Sequence, residues 1–213
     1  MQVVTISAQY GTGGSHIGPA VAQALGVPFV DRAIPVRVAA ELDVGVDEAV
    51  AHDDTSRVGW MSGWLSGAAQ LATIGFTAPA GGAGTEALLP DTAFVAHTEH
   101  VLTEVATTTG GVVLGRAAAI VLAERPGVLH VRLHGPQQRR LRQAMARRGI
   151  DEATARQEMA DTDRARETYV KRFYRHDAED PWLYHLICDS TIVSLPAVIE
   201  LITTAARAVD EPA

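Results

Sequence analysis

Hydrophobic positions change period along the chain, and each change marks an element. Gln2 to Ser7 carries a β-branched run, Val3, Val4, Thr5 and Ile6, which predicts a short strand. From Ile17 the apolar residues recur at helical spacing as Ile17, Val21 and Leu25, with Ala20 and Ala24 beside them and Gly26 as the expected C-cap. Glycines gather between strand and helix at Gly11, Gly13 and Gly14, with Gly18 inside the helix. A second strand is expected over Val27 to Val30, ending in Asp31-Arg32. Residues 33–72 read as mostly helical with breaks near Gly45 and Gly59. The stretch 75–91, rich in Gly, Ala and Pro, reads as a mobile loop, and Phe94 to Thr108 as a helix.

Gly111 to Leu114 predicts a third strand followed by Gly115-Arg116, and Val128 to Leu133 a fourth followed by His134-Gly135-Pro136. Helices are expected over 137–148 and 151–175, with Asp151 capping the second and Glu152 adding first-turn negative charge. A fifth strand is expected over Leu183 to Asp189 and a closing helix over Pro196 to Val209. Strands separated by helices imply an α/β domain, a five-stranded parallel sheet with helices on both faces. Ligands of such sheets bind beyond the carboxyl ends of the strands. Those ends carry the glycine loop, Asp31-Arg32, Gly115-Arg116, His134 to Pro136 and Asp189-Ser190.

Composition narrows the partners. The 213 residues suit one domain, 47% of them are hydrophobic, and the formal net charge is -7. An acidic chain is a poor non-specific nucleic-acid binder, because the phosphate backbone must be met by Lys and Arg. Arginines are nevertheless concentrated: Arg139, Arg140, Arg142, Arg147 and Arg148, then Arg164, Arg166, Arg172 and Arg175 with Lys171, the one lysine. That local density suggests an anion site, while each arginine taken singly fits a solvated helix face. The lone Cys188 allows no internal disulfide and sits in an apolar run, as a buried, inert thiol would. No apolar run reaches the roughly 18 residues of a membrane span, and no secretory signal pattern is present at the N-terminus. A cytoplasmic protein without a membrane partner is expected.

The loop Ala8-Gln9-Tyr10-Gly11-Thr12-Gly13-Gly14-Ser15-His16 opens the first helix. Glycines there let backbone N–H groups converge on a phosphate, and the helix terminus adds partial positive charge. The spacing Gly11-x-Gly13-x-x-x-x-Gly18 departs from the dinucleotide fingerprint, which disfavours an oxidoreductase. Laid on the P-loop pattern G-x-x-x-x-G-K-[ST], Ala8 replaces the first glycine and Gly13-Gly14-Ser15 replaces Gly-Lys-Ser. The phosphate-neutralising lysine is therefore missing, and His16 and the arginines of 139–175 are the candidates to replace it. Ser15 keeps a hydroxyl that can hold Mg²⁺.

Three segments, 4–34 (VTISAQYGTGGSHIGPAVAQALGVPFVDRAI), 110–136 (GGVVLGRAAAIVLAERPGVLHVRLHGP) and 161–202 (DTDRARETYV through SLPAVIELI), resemble the cytidylate kinase-like family of P-loop proteins. They cover about half the chain in the family's order. The resemblance implies a three-layer P-loop kinase fold with a helical acceptor-binding insertion over 33–95 and an arginine-rich lid over 137–175. It implies a transferase that uses ATP and Mg²⁺. It assigns donor-phosphate binding to Gly11, Thr12, Gly13, Gly14, Ser15 and His16, acceptor binding to Asp31 and Arg32, and a phosphate contact to Arg116. Asp163, Arg164 and Arg166 resemble lid residues that touch the acceptor and γ-phosphate, and Asp189-Ser190-Thr191 the turn beside the adenine. The chain departs from the family where Ala8-Gln9-Tyr10 replaces Arg-Glu-Tyr and where Ser15 replaces a basic residue. Both changes remove charge beside the phosphates.

Alternatives remain open for single residues. Arg116 is a phosphate ligand or the partner of a carboxylate such as Asp31, and Asp31 is an acceptor contact or a helix N-cap. His97 and His100 are spaced as a metal pair but lack a third ligand. His134 could touch ligand. Trp60 and Trp64 share a helix face that would pack in the core or across a homodimer interface. The expected activity is in-line transfer of a γ-phosphoryl group to cytidylate, another nucleotide or a small alcohol. The alternative is a non-catalytic nucleotide-binding or regulatory protein that has lost the lysine.

Overall fold

The computed structural model describes residues 2–31, 99–100, 102–115 and 117–209, and of Asp31 the backbone alone. The helices expected over 33–72, the loop over 75–91, Trp60, Trp64, His97, Arg32 and Arg116 lie outside the described residues.

Five strands, β1 (Val3–Ala8), β2 (Phe29–Asp31), β3 (Gly111–Leu114), β4 (Val128–His134) and β5 (Leu186–Asp189), form one sheet in the order β2-β3-β1-β4-β5. Every pairing is parallel. The expected fold class is the observed one. Parallel pairing puts all five carboxyl ends on one edge: Ile6 pairs with Leu114, Ala8 with Leu133, and His134 with Asp189.

The helices are α1 (Gly14–Leu25), a helical stretch α2 (102–107), α3 (Ala118–Val121), α4 (Gln137–Arg148), α5 (Glu152–Tyr174) and α6 (Leu195–Ala208). Local chemistry sets their ends. Gly26 is left-handed at φ 69 and its N–H returns to Ala22 and Gln23, so α1 stops where its apolar spacing does. Val27 donates to Ala22 at 3.1 Å and so completes this cap, which is why β2 begins at Phe29 and not at Val27. Asp151 accepts the Thr154 N–H at 2.8 Å, as its capping role requires. The fifth strand also starts later than expected. Asp180 accepts the Trp182 N–H at 3.0 Å and caps a 3-10 turn over Pro181–Leu183, and only beyond it does the chain extend.

Alternation along β1 divides the interior. Val4, Ile6 and Ala8 share a core with Leu129, Val131 and Leu133 of β4, closed by Ile17 and Val21 of α1 and by Val198 and Ile202 of α6. Val3 faces the opposite layer, with Ala106 of α2, Leu122 and Val128. On that second face the next positions are polar and buried. Thr5 Oγ1 lies 2.8 Å from His130 Nδ1, and Arg132 donates to Ser7 Oγ at 2.8 Å. Arg132 also pairs with Glu179, and its guanidinium lies 5.7 Å from the Tyr184 ring centroid. These pairings are what let a central strand carry an arginine that is 3% exposed.

Candidate functional site

The loop from Gln9 to Gly13 leaves the carboxyl end of β1 and enters α1. Gly11 and Gly13 take φ 78 and φ 79, where a side chain is strained. Space is a second constraint. A Cβ on Gly11 would run into the Arg140 carbonyl of α4, standing 2.9 Å from its carbon. A Cβ on Gly13 would overlap the Arg147 guanidinium, 3.2 Å from its Cζ. A Cβ on Gly14 would stand 2.7 Å from the Ala8 methyl. Thr12 is fully buried, and its hydroxyl donates to Gln9 O at 2.7 Å. Its side chain therefore builds the loop, and its N–H also turns back to Gln9 O, at 3.3 Å. Ser15 Oγ lies 3.4 Å from His16 Nδ1, and His16 is exposed at the helix start.

Helices α4 and α5, the expected lid, fold back onto this loop and clamp Tyr10. Asp163 accepts the Tyr10 N–H at 3.0 Å, and Arg140 donates to Tyr10 O at 2.9 Å. Arg140 and Asp163 pair with each other at 2.7 Å. The Tyr10 hydroxyl donates to Glu158, and Arg148 reaches both groups. Burial, and then the adjoining Glu158 carboxylate, hold the Tyr10 phenol well above its ordinary pKa, so it stays a neutral donor. Arg166 donates to Ala8 O at 3.0 Å, and Arg164 points from the exposed side of α5. Of the residues assigned to phosphate and lid, the structure thus brings Asp163 and Arg166 against the glycine loop, mainly through its backbone.

The other wall is the turn after β5. Asp189 accepts from the Thr191 N–H at 3.0 Å and pairs with Arg139 at 2.7 Å, while Arg139 Nε donates to Thr191 Oγ1 at 3.0 Å. Burial alone would raise the Asp189 carboxyl. The hydrogen bonds from Thr191 and Arg139 outweigh it and hold the carboxyl below its ordinary range. Ser190 Oγ donates to Thr12 O at 2.8 Å and so ties this turn to the loop. Between the walls opens a cleft of about 450 Å³, lined by Arg139, Arg142, Gln143, Ala146, Arg147 and Thr191. Arg139, Gln143 and Arg147 stand four residues apart on one face of α4, a spacing visible in the sequence. The arginine cluster is visible in the sequence, but nothing in its spacing distinguishes Arg147 from its neighbours.

Cys188 is buried, and its thiol is pushed up by burial and then by Asp189, as expected of an inert cysteine. Among the described residues no group of acidic, His or Cys side chains is arranged to hold a metal, and no helix is long and apolar enough to cross a membrane.

A glycine loop at the end of β1, five parallel strands in this order and a return of two helices over the loop specify a known arrangement. The model of the cytidylate kinase-like family matches residues 3–192. The chain belongs to that family. Its fold is shared with solved structures at low identity. An uncharacterized protein from Eubacterium ventriosum ATCC 27560 superimposes with a TM-score of 0.65 at 16% identity, covering 98% of this chain and 99% of that one. A gluconokinase from Sinorhizobium meliloti 1021 does so with a TM-score of 0.50 at 14% identity, covering 97% and 91%. Over 93 residues the chain is also 30% identical to a uronate isomerase from Corynebacterium glutamicum, a stretch that is 44% of this chain and 18% of that protein. The chain thus spans less than a fifth of the curated relative it matches.

Proposed function

We propose that this member of the family is an ATP-dependent phosphotransferase that moves a γ-phosphoryl group to a nucleoside monophosphate, cytidylate first, or to another small acceptor. The observation that carries this reading is a cationic cleft lined by Arg139, Arg142 and Arg147, of which Arg147 lies against Gly13 of the glycine loop. Phosphoryl transfer asks for positioning and charge neutralisation and for little covalent chemistry by the protein. ATP would supply the transferable phosphoryl group, and Mg²⁺ would neutralise its charge. The residues present fit both. The cleft is large enough for a nucleoside, its walls are cationic, and Mg²⁺ is commonly held by one or two protein groups plus phosphates.

In this reading the backbone of Gly11 to His16 holds the donor phosphates and Ser15 offers its hydroxyl to the metal. Arg139, held flat by Asp189 and Thr191, backs the base. Arg166, which donates to Ala8 O at the loop, and Arg164 on the same helix would meet charge developing on the phosphoryl group. Asp163 holds the loop and Arg140 in register. Arg116, Asp31 and Arg32 are assigned the acceptor side by family resemblance. A second reading, nucleotide binding without transfer, is favoured by one observation: the Asp163 carboxylate is already occupied by Tyr10 and Arg140.

The test is Mg²⁺-dependent ATP turnover over a panel of nucleoside monophosphates, with ATP binding followed by calorimetry. Turnover of CMP that is lost in Arg116→Ala supports the kinase. ATP binding without turnover on any acceptor supports the second reading. Absence of ATP binding overturns both.

A further inference from the structure

Helix α4 presents one row of side chains to the cleft, Arg139, Gln143 and Arg147, four residues apart. Each step rises about 6 Å, so the row runs about 12 Å along the helix axis. Different neighbours mark its two ends. Arg139 is held at the turn after β5 by Asp189 and Thr191. Arg147 lies against Gly13 of the glycine loop. Gln143 therefore occupies the middle, between the end assigned to the base and the end assigned to the phosphates.

One observation sets Gln143 apart. Its Nε2 is buried and has no hydrogen-bond partner. A buried amide donor left unmade costs stability, and native chains rarely keep one without a use. The same side chain lines the cleft, so a molecule in the cleft would supply the missing acceptor. The chemistry of the amide limits what that molecule presents. The group is neutral, with donors on Nε2 and an acceptor on Oε1. A phosphate offers acceptors alone and would leave Oε1 facing oxygen. Two adjacent hydroxyls, each able to give and to take a hydrogen bond, match both ends of the amide. Ala146, one turn along and also in the cleft wall, adds no polar group that competes for it.

We propose that Gln143 reads the ribose of the donor nucleotide, its amide bridging the vicinal hydroxyls, and so selects ribonucleoside over deoxyribonucleoside triphosphates. The proposal rests on the reading of this cleft as the donor-nucleotide site. It gives the three side chains of the α4 row an order, base, sugar, phosphate, that follows the ligand from the turn after β5 to the glycine loop.

The test uses the full chain, with MgATP, its 2′-deoxy and 3′-deoxy analogues and inorganic tripolyphosphate as calorimetric probes and thermal unfolding as the control for fold. The parent is expected to bind ATP about tenfold more tightly than at least one of the analogues, because the analogue leaves the buried amide unpaired again. Gln143→Met keeps the length of the side chain and removes the amide. It should bind ATP and both analogues alike, while its tripolyphosphate affinity stays that of the parent. Gln143→Leu carries the same comparison if the Met variant does not fold. A parent that binds ATP and both analogues equally overturns the ribose reading and leaves nucleotide binding standing. A folded variant that keeps the parent's preference overturns the role of Gln143. So does a loss of tripolyphosphate affinity that matches the loss for ATP, since Gln143 would then be a phosphate contact. A parent chain that does not bind ATP overturns the donor-site reading itself.

Discussion

Asp163 reaches across 153 positions of sequence to accept the backbone N–H of Tyr10 at 3.0 Å. Its other oxygen pairs with Arg140 at 2.7 Å, and Arg140 in turn donates to Tyr10 O at 2.9 Å. One ion pair therefore holds both backbone polar groups of a loop residue and sets where the glycines lie. Asp163→Asn keeps an acceptor for the N–H and removes the charge facing Arg140, which is 7% exposed. The expected loss is about 1–3 kcal/mol of unfolding free energy, smaller than for a fully buried pair because Asp163 is partly exposed. Denaturant midpoints measure it, and ATP affinity should fall in the same variant.

A second clamp is graded by chemistry. Tyr10→Phe removes one hydroxyl and leaves Arg148 and Glu158 paired, so a cost of about 1 kcal/mol is expected. Glu158→Gln removes the carboxylate paired with Arg148 in a largely buried setting and should cost about 3 kcal/mol or more. Equal losses in the two variants would contradict this order.

Two left-handed glycines separate strain from crowding. Gly149, at φ 65, has nothing within 4 Å of an added Cβ, so Gly149→Ala should cost only the backbone term of about 1–2 kcal/mol. Gly11 has φ 78 and also meets the Arg140 carbonyl, a backbone group that cannot step aside. Gly11→Ala should therefore lose clearly more stability than Gly149→Ala, read from the two melting curves side by side.

His130 makes stability depend on pH. Burial, and then the neighbouring His185 charge, lower its pKa from the ordinary 6.5 to about 4. Between those values the unfolded chain takes up a proton that the folded chain refuses. The contribution is complete above about pH 6.5, is lost progressively as pH falls toward 4, and levels off below. It amounts to roughly 3 kcal/mol. His130→Gln should flatten that part of the stability profile, measured by denaturation at stepped pH. A slope as steep as the parent's would place the titration elsewhere.

Local chemistry alone makes several of these elements readable. The shift from a β-branched run to helical spacing, with glycines at the joint, marks β1 to within a residue, while α1 begins at Gly14, three residues before its apolar spacing starts. Gly26 and Asp151 cap where their residue types say they should, because capping needs only neighbours in sequence. The short α3 is not legible in the sequence because four residues, Ala118–Val121, hold barely one helical turn and so no period. β5 is shorter than its apolar run because Leu183, though apolar enough for a strand, is wound into a turn by the Asp180 cap and Pro181.

The remaining features depend on which distant segments meet. β4 reads VLHVRLH, an alternation that by itself fits a strand with one wet face. Placed between β1 and β5, its polar face is covered, and His130 and Arg132 become buried groups whose partners, Thr5, Ser7 and Glu179, are far along the chain. The lid arginines and acids likewise have charges visible in the sequence but partners that only folding supplies. Spacing along a chain fixes periodicity, caps and glycine loops, because backbone conformation is settled over a few residues. Whether an arginine pairs with an acid, braces a loop or faces a ligand is settled by the packing of α4 and α5 on the end of the sheet, since desolvation and pairing act through space.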